Sequence, residues 1–507
     1  MNLVEYVFKT VKAQDLWEKP AILCENGQLT YQELLNSLKR HGRLVQSLGV
    51  KAGECVAIVA QDCREFIISF LGTVAVGSVV VPISTMLSAT ELEYILNHCA
   101  AKVLILTYDQ VEKIQNIKNR LPNLETILLI DGNSDGMRSY HTALSEVEEG
   151  EIKAVEDTAL AFILYTSGST GQPKGAMHIH RNLPYTVETY CKQVLQVSPL
   201  DRLFSSSRLF FAYGLGNSLS FPLSSAATVI LCQQRPTPAL IVDLIKKYRP
   251  TIFFAVPAVY RALIEYANQT ESLDTTSIRL CISAGEKLPE RIFYEWQQLT
   301  ELDILDGIGS TEMLQMFISN RKAQIKPGSS GLVVPGYQAK IVDPEGNEVL
   351  GPGSGNLLIK GLSASPGYWQ NPAKTASTML GEWMFTGDIY YRDENEYYWF
   401  SGRSDDMFKV KGLWVSPVEV EDVLLSYPDI LEVAVVPEKD PDGMNRIAAY
   451  LVLKSKQPPE DNFVEKLKAH LSTMLPVYKF PTEIYFIDQL PRTATGKIQR
   501  FKLKDKA

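Results

Sequence analysis

Short apolar runs separated by helix-forming stretches recur along the first half of the sequence. Val56–Val59, Val79–Val81 and Val103–Leu106 have the length and β-branched composition of buried strands. Thr30 and Glu33 form a capping-box pattern and predict the start of one of the intervening helices. Because parallel strands are joined by crossover helices, this alternation predicts a doubly wound α/β fold whose sheet is covered on both faces.

The composition excludes several classes of protein. Hydrophobic residues make up 45% and charged residues 21% of the 507 residues, which is typical of a globular chain with a large core. The net charge is −8 and no basic stripe is present, so nucleic-acid binding is not expected. The seven scattered cysteines include no Cys-x-x-Cys pair, which favours a reducing cytoplasm and argues against a disulfide framework or a zinc site.

No membrane span is expected. The N-terminus lacks the basic and apolar segments of a signal peptide. The longest apolar stretch, Phe66–Val81, is interrupted by Gly72 and Gly77 and is followed by Pro82. It is short for a membrane span and predicts a buried helix followed by a buried strand. We therefore expect a cytoplasmic protein.

The composition and the pattern of apolar runs change twice after the α/β region. Glycines, prolines and short β-rich runs between Gly328 and Trp399 predict a smaller β unit. After Asp406, apolar runs such as Val433–Val436 alternate with helices near Val418–Leu425, which predicts a small α+β domain.

A glycine-rich stretch, Tyr165–Gly175, directly follows the apolar run Leu160–Leu164. Its glycines allow backbone N–H groups to converge, and Lys174 adds a positive charge, so the stretch predicts a phosphate-binding nest. The alternative is a flexible glycine-serine loop. Its spacing differs from that of the P-loop, which disfavours kinases and GTPases. The nearby His178 and His180 have no acidic or cysteine neighbours, and a metal role is not expected for them.

Three further patterns carry candidate polar residues. Glu312 ends the run Asp306–Glu312 and is a natural Mg²⁺ ligand beside bound phosphates, although Thr–Glu pairs also cap helices. Asp388 follows a tight turn and can accept hydrogen bonds from a ribose diol; the alternative is an ordinary surface turn. Lys497 follows Gly496 near the end of the chain, where the alternative is a solvated lysine.

In this order, the motifs resemble those of the adenylate-forming superfamily, which includes acyl- and aryl-CoA ligases, firefly luciferase and the adenylation domains of peptide synthetases. The resemblance covers essentially the whole chain. It implies a large N-terminal domain over residues 1–402, a hinge at 403–405 and a small mobile domain over 406–507. It also implies that ATP and a carboxylic acid give an acyl-adenylate and pyrophosphate. The small domain then rotates, and a thiol converts the adenylate into a thioester and AMP.

The same resemblance implies where ATP and Mg²⁺ bind. The β- and γ-phosphates are expected at Thr166, Ser167, Gly168, Ser169, Thr170, Gly171 and Lys174. Adenine is expected to be framed by Ser283, Ala284, Gly285, Glu286, Asp306, Gly307, Ile308 and Gly309. Thr311 and Glu312 are expected to contact the α-phosphate and Mg²⁺, and Asp388 and Arg403 the ribose hydroxyls.

The resemblance assigns the remaining motifs to the two half-reactions. Lys497 matches the lysine that bridges the substrate carboxylate and the α-phosphate, where its charge provides electrostatic catalysis. Asp405 matches the hinge position. Lys409, Lys411 and Gly412 match the loop that faces the site during thioester formation, where Gly412 leaves room for a pantetheine arm.

The acid is expected to be aromatic, because the chain resembles the benzoate–CoA ligases of this superfamily. The resemblance implies a flat pocket walled by Ala212, Tyr213, Ala284 and Gly309, with Phe211 as an aromatic gate; the alternative is that Phe211 and Tyr213 are core aromatics. Residues 208–217 contain no Asp that could bind an α-ammonium group. The aliphatic Ile308, where the superfamily often has an aromatic residue, agrees with the benzoate branch.

Gln315 and Met316 depart from the His-Ile pair that is frequent in benzoate ligases. A glutamine side chain offers both a donor and an acceptor, and methionine adapts to irregular shapes. We therefore hypothesise that the ring of the acid carries a hydroxyl or amino group that faces Gln315.

Two ligase functions remain open from the sequence, together with one of a different class. The thiol acceptor is either coenzyme A or the phosphopantetheine arm of a carrier protein, because both enter by the same tunnel. A binding protein on an inactive ligase fold is disfavoured, since Lys174, Glu312, Asp388, Arg403 and Lys497 are all present.

Overall fold

The computed structural model describes residues 1–166, 172–270, 273–410, 413–440, 443–455, 459, 462–492 and 498–504. The chain packs as two compact units, Met1–Ala339 with Ile359–Phe385, and Lys340–Leu358 with Thr386–Ala507. The predicted hinge at 403–405 and the domain bounds around it concern a movement and stay predictions. Within the described part of the chain, no helix has the length and apolarity needed to cross a membrane.

Two largely parallel sheets form the framework of the first unit. Their strands, in chain order, are β1 (Pro20–Cys24), β2 (Gly27–Thr30), β3 (Cys55–Val59), β4 (Val79–Pro82), β5 (Val103–Leu106), β6 (Thr126–Leu129), β7 (Arg138–Ser139), β8 (Leu160–Thr166), β9 (Lys174–Ile179), β10 (Arg202–Ser205), β11 (Thr228–Ile230), β12 (Ile252–Ala255), β13 (Leu280–Ser283), β14 (Ile304–Gly309), β15 (Met316–Ser319) and β16 (Leu332–Val333).

Both sheets have crossover topology. One has the strand order β7-β6-β5-β3-β4-β8-β9, with β9 antiparallel to β8 at the edge. The other has the order β16-β15-β14-β13-β12-β10-β11-β1-β2, parallel from β14 to β1 and antiparallel beyond. The parallel arrangement that the alternating pattern predicted is therefore confirmed.

Most helices of the first unit lie between successive strands of the two sheets and connect them. Their bounds are α1 (Leu3–Val7), α2 (Lys9–Gln14), α3 (Tyr31–Ser47), α4 (Arg64–Ala75), α5 (Ala89–His98), α6 (Val111–Gln115), α7 (Tyr140–Ser145), α8 (Asn182–Thr186), α9 (Ala212–Leu215), α10 (Phe221–Ser224), α11 (Pro238–Tyr248), α12 (Pro257–Thr270), α13 (Glu290–Thr300) and α14 (Pro372–Thr378). The capping box of Thr30 and Glu33 begins α3 as predicted. The turns Val187–Leu195 and Gly216–Ser220 have π-helical hydrogen bonding, and the second joins α9 to α10.

The remaining elements lie after residue 337, in the β-rich region and in the C-terminal part of the chain. Their bounds are β17 (Gln338–Val342), β18 (Gly353–Lys360), β19 (Met379–Leu380), β20 (Trp383–Arg392), β21 (Tyr398–Arg403), β22 (Phe408–Val410), β23 (Leu413–Val415), β24 (Ile430–Lys439), β25 (Asn445–Leu453), β26 (Glu483–Phe486), α15 (Pro417–Leu425), α16 (Phe463–Ser472) and α17 (Phe501–Lys504). The strands β24, β25 and β26 form a sheet in that order, and its apolar residues pack with Val420, Leu424 and Leu467 of α15 and α16. This packing is the predicted α+β arrangement.

The small β unit begins later than its composition predicted. Leu332–Val333 lies inside the glycine- and proline-rich region but pairs with β15 of the α/β framework. Main-chain pairing with a neighbouring strand, rather than local composition, decides where this short segment belongs.

Candidate active site

The predicted adenine-framing residues lie together at one edge of a sheet. The strands β12, β13 and β14 are parallel, and Ser283 at the end of β13 lies opposite Asp306 of β14. Gly285 and Gly309, just beyond that register position, are both exposed. Because ligands of α/β proteins bind outside the carboxyl ends of parallel strands, this edge is the candidate nucleotide site. Ala284, Glu286, Gly307 and Ile308 belong to the same two strand ends.

Asp306 is a buried carboxyl group at this edge. It is only 4% exposed, and its Oδ1 has no hydrogen-bond partner among the described residues. Its main-chain oxygen accepts hydrogen bonds from the backbone and side-chain nitrogens of Asn320. Burial raises the pKa of Asp306 to about 8, because a charged carboxylate loses its hydration there. At neutral pH the side chain is therefore mainly protonated and can donate a hydrogen bond.

Replacing Asp306 with asparagine is expected to change how stability depends on pH. The native carboxyl keeps its proton to about pH 8, whereas the unfolded chain loses it near pH 4. The native protein therefore loses stability as pH rises through this window, by up to roughly 1.4 kcal/mol per pH unit. Urea unfolding of the ligand-free proteins at about pH 5 and pH 8 measures the effect. The advantage of Asp306→Asn over the native protein should grow at the higher pH, and a difference independent of pH would contradict this assignment.

The predicted substrate residues begin a helix above the same edge. Phe211 precedes α9, while Ala212 and Tyr213 form its first turn. The Tyr213 hydroxyl donates to the Ile282 oxygen on β13 at 3.4 Å, and its ring meets that of Phe254 on β12 at 6.2 Å. Phe211 and Tyr213 are only partly buried, so neither is enclosed in the core. The structure therefore places Tyr213 beside the ends of β12 and β13, and Phe211 two positions earlier in the chain, directly before α9.

The side chain of Gln315 is buried against this helix. It is 3% exposed, and its Nε2 lies 3.5 Å from both the Tyr213 oxygen and Asn217 Oδ1. A Cβ atom at position 216 would lie 2.0 Å from that Nε2, so a larger residue there would force the Gln315 amide to move. A Cβ at Gly309 would likewise lie 2.8 Å from the main-chain carbon of Gln315. Both hydrogen bonds from the Gln315 amide are at the upper limit of length. Its NH₂ group can therefore donate to a closer acceptor instead.

The turn that presents Gln315 is strained. Leu314 has φ of 67°, a left-handed conformation that is costly for a branched side chain. Met316 follows at the start of β15, opposite Gly309, and its N–H donates to Gln315 Oε1 at 3.0 Å. The facing helix contains the π-helical turn Gly216–Ser220. Strain and π-turns of this kind are concentrated at functional sites.

Thr311 and Glu312 lie in the turn between β14 and β15, and the main-chain oxygen of each accepts a hydrogen bond. The Nε2 of His178, on β9, donates to the Thr311 oxygen at 2.9 Å. The Ser365 N–H donates to the Glu312 oxygen at 2.7 Å. Burial lowers the pKa of His178 to about 4, so the ring is neutral when it donates. The alternative of a helix cap at Thr311 is wrong, because no helix begins in the turn.

The glycine-rich stretch connects an antiparallel pair of strands. Thr166 ends β8 and lies opposite Lys174, which begins β9. The predicted buried strand before the stretch is confirmed, since residues 161–164 of β8 are buried. The other predicted phosphate-binding residues, Ser167, Gly168, Ser169, Thr170 and Gly171, lie outside the described residues.

The surroundings of Glu312 suit a divalent cation that is shared with phosphate groups. Tyr368 donates its hydroxyl proton to Glu312 Oε1 at 2.6 Å. No donor among the described residues reaches Oε2, and Glu312 is only partly buried. Within those same residues, no group of three His, Cys, Asp or Glu side chains could hold a metal. A single carboxylate completed by phosphate oxygens and water is a coordination set that Mg²⁺ accepts.

The two predicted ribose ligands are paired with each other in the second unit. Asp388 on β20 lies opposite Arg403 on β21, and the Arg403 NH1 donates to Asp388 Oδ1 at 2.8 Å. Thr386 supports both residues: its Oγ1 accepts from the Asp388 N–H and its main-chain oxygen accepts from Arg403. Asp388 is thus part of a strand and an ion pair, and the alternative of an ordinary surface turn is wrong.

The predicted residues of the C-terminal part are described only in part. Asp405 is exposed after β21, and Lys409 is exposed on β22, where its main-chain oxygen accepts from Asn445 at 3.1 Å. Lys411, Gly412 and Lys497 lie outside the described residues.

Sequence reasoning missed Tyr368 and gave His178 no role. Tyr368 is 56 positions from its partner Glu312, and the chain around it carries no pattern that marks a polar function. His178 was considered only for a metal site, whereas the structure makes it a hydrogen-bond donor to Thr311.

Residues 8–369 match the family of AMP-binding enzymes, and residues 419–497 match the AMP-binding enzyme C-terminal domain. The chain therefore belongs to the AMP-binding enzyme family.

Its relatives include ligases for aromatic acids. The chain is 40% identical over 489 residues to a benzoate–CoA ligase of Thauera aromatica, covering 96% of this chain and 92% of that protein. It is 35% identical over 505 residues to a 4-hydroxybenzoate–CoA/benzoate–CoA ligase of Rhodopseudomonas palustris, covering 99% and 93%. It also matches the crystal structure of the anthranilate CoA ligase AuaEII in complex with anthranoyl-AMP, with a TM-score of 0.94 and 37% identity over 100% of this chain and 97% of that one.

Proposed function

We propose that this protein is an AMP-forming aryl-CoA ligase that activates a benzoate-type acid with ATP and transfers the acyl group to coenzyme A. The observation that carries the proposal is the uncharged aromatic ring of Tyr213, which lies against Ile282 and Phe254 at the ends of β13 and β12, the edge that we assign to the nucleotide. A flat aryl ring matches such an aromatic surface, to which we also assign Phe211, whereas an amino acid would need an acidic partner for its ammonium group. The relatives that act on benzoate, hydroxybenzoate and anthranilate support the same class of acid.

In the first half-reaction, the acid carboxylate attacks the α-phosphorus of ATP and pyrophosphate leaves. The β8–β9 hairpin with Lys174 is assigned to the β- and γ-phosphates, and Thr311 with Glu312 to the α-phosphate. Glu312 would hold Mg²⁺, which would supply charge that offsets the phosphate oxygens. Lys497 is assigned to the developing negative charge between carboxylate and phosphorus. The Asp388–Arg403 pair is assigned to the ribose diol, with Asp388 Oδ atoms accepting from the two hydroxyls.

In the second half-reaction, a thiol attacks the acyl carbonyl and AMP leaves. Asp405 is assigned to the hinge, and Lys409, Lys411 and Gly412 are assigned to the loop that admits the thiol arm. We assign coenzyme A as the acceptor because the relatives named above are CoA ligases. The seven cysteine thiols are all unpaired, which suits a reducing cytoplasm, and we place the enzyme there.

Acid-dependent release of pyrophosphate from ATP tests the substrate class directly. We expect release with benzoate, hydroxybenzoates or aminobenzoates at micromolar to millimolar concentrations and none with fatty acids or amino acids. Release with only aliphatic or amino acids would contradict the proposal. A parallel reaction with a phosphopantetheinylated carrier protein in place of coenzyme A tests the acceptor; carrier loading without CoA thioester would replace the CoA assignment.

Substitution of Gln315 tests the polar-substituent hypothesis. In Gln315→Ala, preference for a hydroxy- or aminobenzoate over benzoate should fall by roughly tenfold, the value of one buried hydrogen bond. Gln315→Met is the matched control for volume, because methionine fills the space next to Gly216 without an amide. This variant should lose the same preference. The ratio of kcat/KM values for the two acids is the measurement. Unchanged discrimination in both variants would remove Gln315 from substrate recognition.

A further inference from the structure

We propose that Tyr368 is a positioning residue that fixes the Glu312 carboxylate in register with the phosphate-binding hairpin β8–β9. The inference rests on the role proposed above for Glu312 at the phosphates of ATP. It concerns how the fold holds that carboxylate rather than which groups touch the nucleotide.

The Glu312 residue is anchored at two atoms by one short segment. Tyr368 is 5% exposed, and its hydroxyl donates to Glu312 Oε1 at 2.6 Å. Three residues earlier, the Ser365 N–H donates to the Glu312 main-chain oxygen at 2.7 Å. A hydroxyl that donates to an ionised carboxylate at this distance forms a strong, charge-assisted bond. The pair of anchors fixes both the backbone of Glu312 and the direction of its side chain.

The segment that carries these anchors pairs with β9 through an isolated β-bridge. The Met177 N–H donates to the Gly367 oxygen at 3.0 Å, and the Trp369 N–H donates to the Gly175 oxygen at 2.7 Å. Ala176 and Tyr368 face each other as an antiparallel bridge between these two bonds. Tyr368 is therefore attached to a strand that begins at Lys174, the cation assigned to the phosphates.

These contacts join the two halves of the phosphate site in one hydrogen-bonded assembly. Lys174 opens β9, and Glu312 is tied to the same strand through Tyr368. A carboxylate held at Oε1 presents Oε2 in one direction, whereas an untethered Glu side chain samples several rotamers. The Tyr368 hydroxyl should therefore favour binding of ATP with Mg²⁺ more than binding of ATP alone.

Tyr368→Phe removes the hydroxyl and keeps the ring. We expect the Mg²⁺ concentration for half-maximal pyrophosphate release to rise about tenfold. We also expect calorimetric affinity for ATP to fall by a similar factor with Mg²⁺ present and to stay unchanged without it. Tyr140→Phe is the matched control, since it removes another buried hydroxyl that bonds only to Ser69 and His41 among the described residues. This control should leave both measurements unchanged.

A double-mutant cycle separates positioning from general damage to the fold. In the Glu312→Gln background, Tyr368→Phe should have little further effect on the Mg²⁺ requirement, because the carboxylate that it positions is gone. Full additivity of the two substitutions, or an unchanged Mg²⁺ requirement and affinity in Tyr368→Phe alone, would overturn the proposal. If the native protein released no pyrophosphate with any acid, the proposed function would fail. Calorimetry with ATP and Mg²⁺ would still decide the role of Tyr368.

Discussion

Replacing Lys497 with alanine is expected to lower acyl-adenylate formation by on the order of a thousandfold and to spare thioester formation from a supplied acyl-adenylate. The lysine charge is needed only while negative charge gathers at the α-phosphorus, so its loss affects one half-reaction. The described residues that flank the segment 493–497 have partners of their own. Arg492 and Ile498 face each other as an antiparallel bridge, and Arg500 binds the buried Glu421 at 2.7 Å. Truncating Lys497 should therefore leave the fold intact.

Two further variants make this expectation specific. Lys468→Ala removes the same charge from the exposed face of α16 and should leave both half-reactions unchanged. Gly412→Leu should obstruct the thiol arm, so that the adenylate forms at the native rate while thioester formation is lost. Pyrophosphate release and the conversion of supplied acyl-adenylate to thioester are measured separately for each variant. Equal loss of both half-reactions in Lys497→Ala and in Gly412→Leu would contradict the rotation of the small domain.

Replacing Glu312 with glutamine is expected to lower adenylation by on the order of a hundredfold at millimolar Mg²⁺. Glutamine keeps the size of the side chain and an oxygen that can accept from Tyr368, so the packing around the turn is retained. What it removes is the negative charge opposite the cation. Because no group of three His, Cys, Asp or Glu side chains among the described residues could hold a metal by itself, the cation there depends on Glu312 together with the phosphates.

The Mg²⁺ dependence of pyrophosphate release distinguishes this effect from a general loss of activity. For Glu312→Gln the curve should move to higher Mg²⁺, and part of the activity should return there. Glu295→Gln is the control, because it neutralises a carboxylate on α13 whose ion pair is with Arg291 at 2.6 Å. A Glu312→Gln enzyme with native activity and an unchanged Mg²⁺ curve would exclude a metal role for Glu312.

Local patterns predicted the parts of the fold that local forces decide. The strand Val103–Leu106 is apolar throughout and was predicted with its observed bounds. A short, continuous apolar run is typical of a strand that is buried on both faces of a parallel sheet. The helix after Thr30 follows from a cap that lies within four residues. Leu332–Val333 was placed in the wrong unit, since its pairing with β15 depends on the tertiary fold.

In the candidate site, too, local patterns mark some residues, whereas other contacts depend on the tertiary fold. The motifs at Lys174, Glu312 and Asp388 could be recognised because each motif is continuous in the sequence. Contacts between motifs could not be recognised in this way. Gln315 and Asn217 are 98 positions apart and Tyr368 and Glu312 are 56 apart, and only folding of the strands brings these side chains together. The buried position of Gln315 and the hydrogen bond from Tyr368 to Glu312 are therefore findings of the structure.

The most direct measurement incubates the native protein with ATP, Mg²⁺, coenzyme A and a mixed pool of benzoates, cinnamates, fatty acids and amino acids. Mass spectrometry then identifies the thioesters formed. The proposed function predicts one or a few benzoyl-type CoA thioesters, with AMP and pyrophosphate in equal amounts and the hydroxy- or aminobenzoate favoured over benzoate. A fatty acyl-CoA as the main product, or no acid-dependent AMP at all, would contradict it.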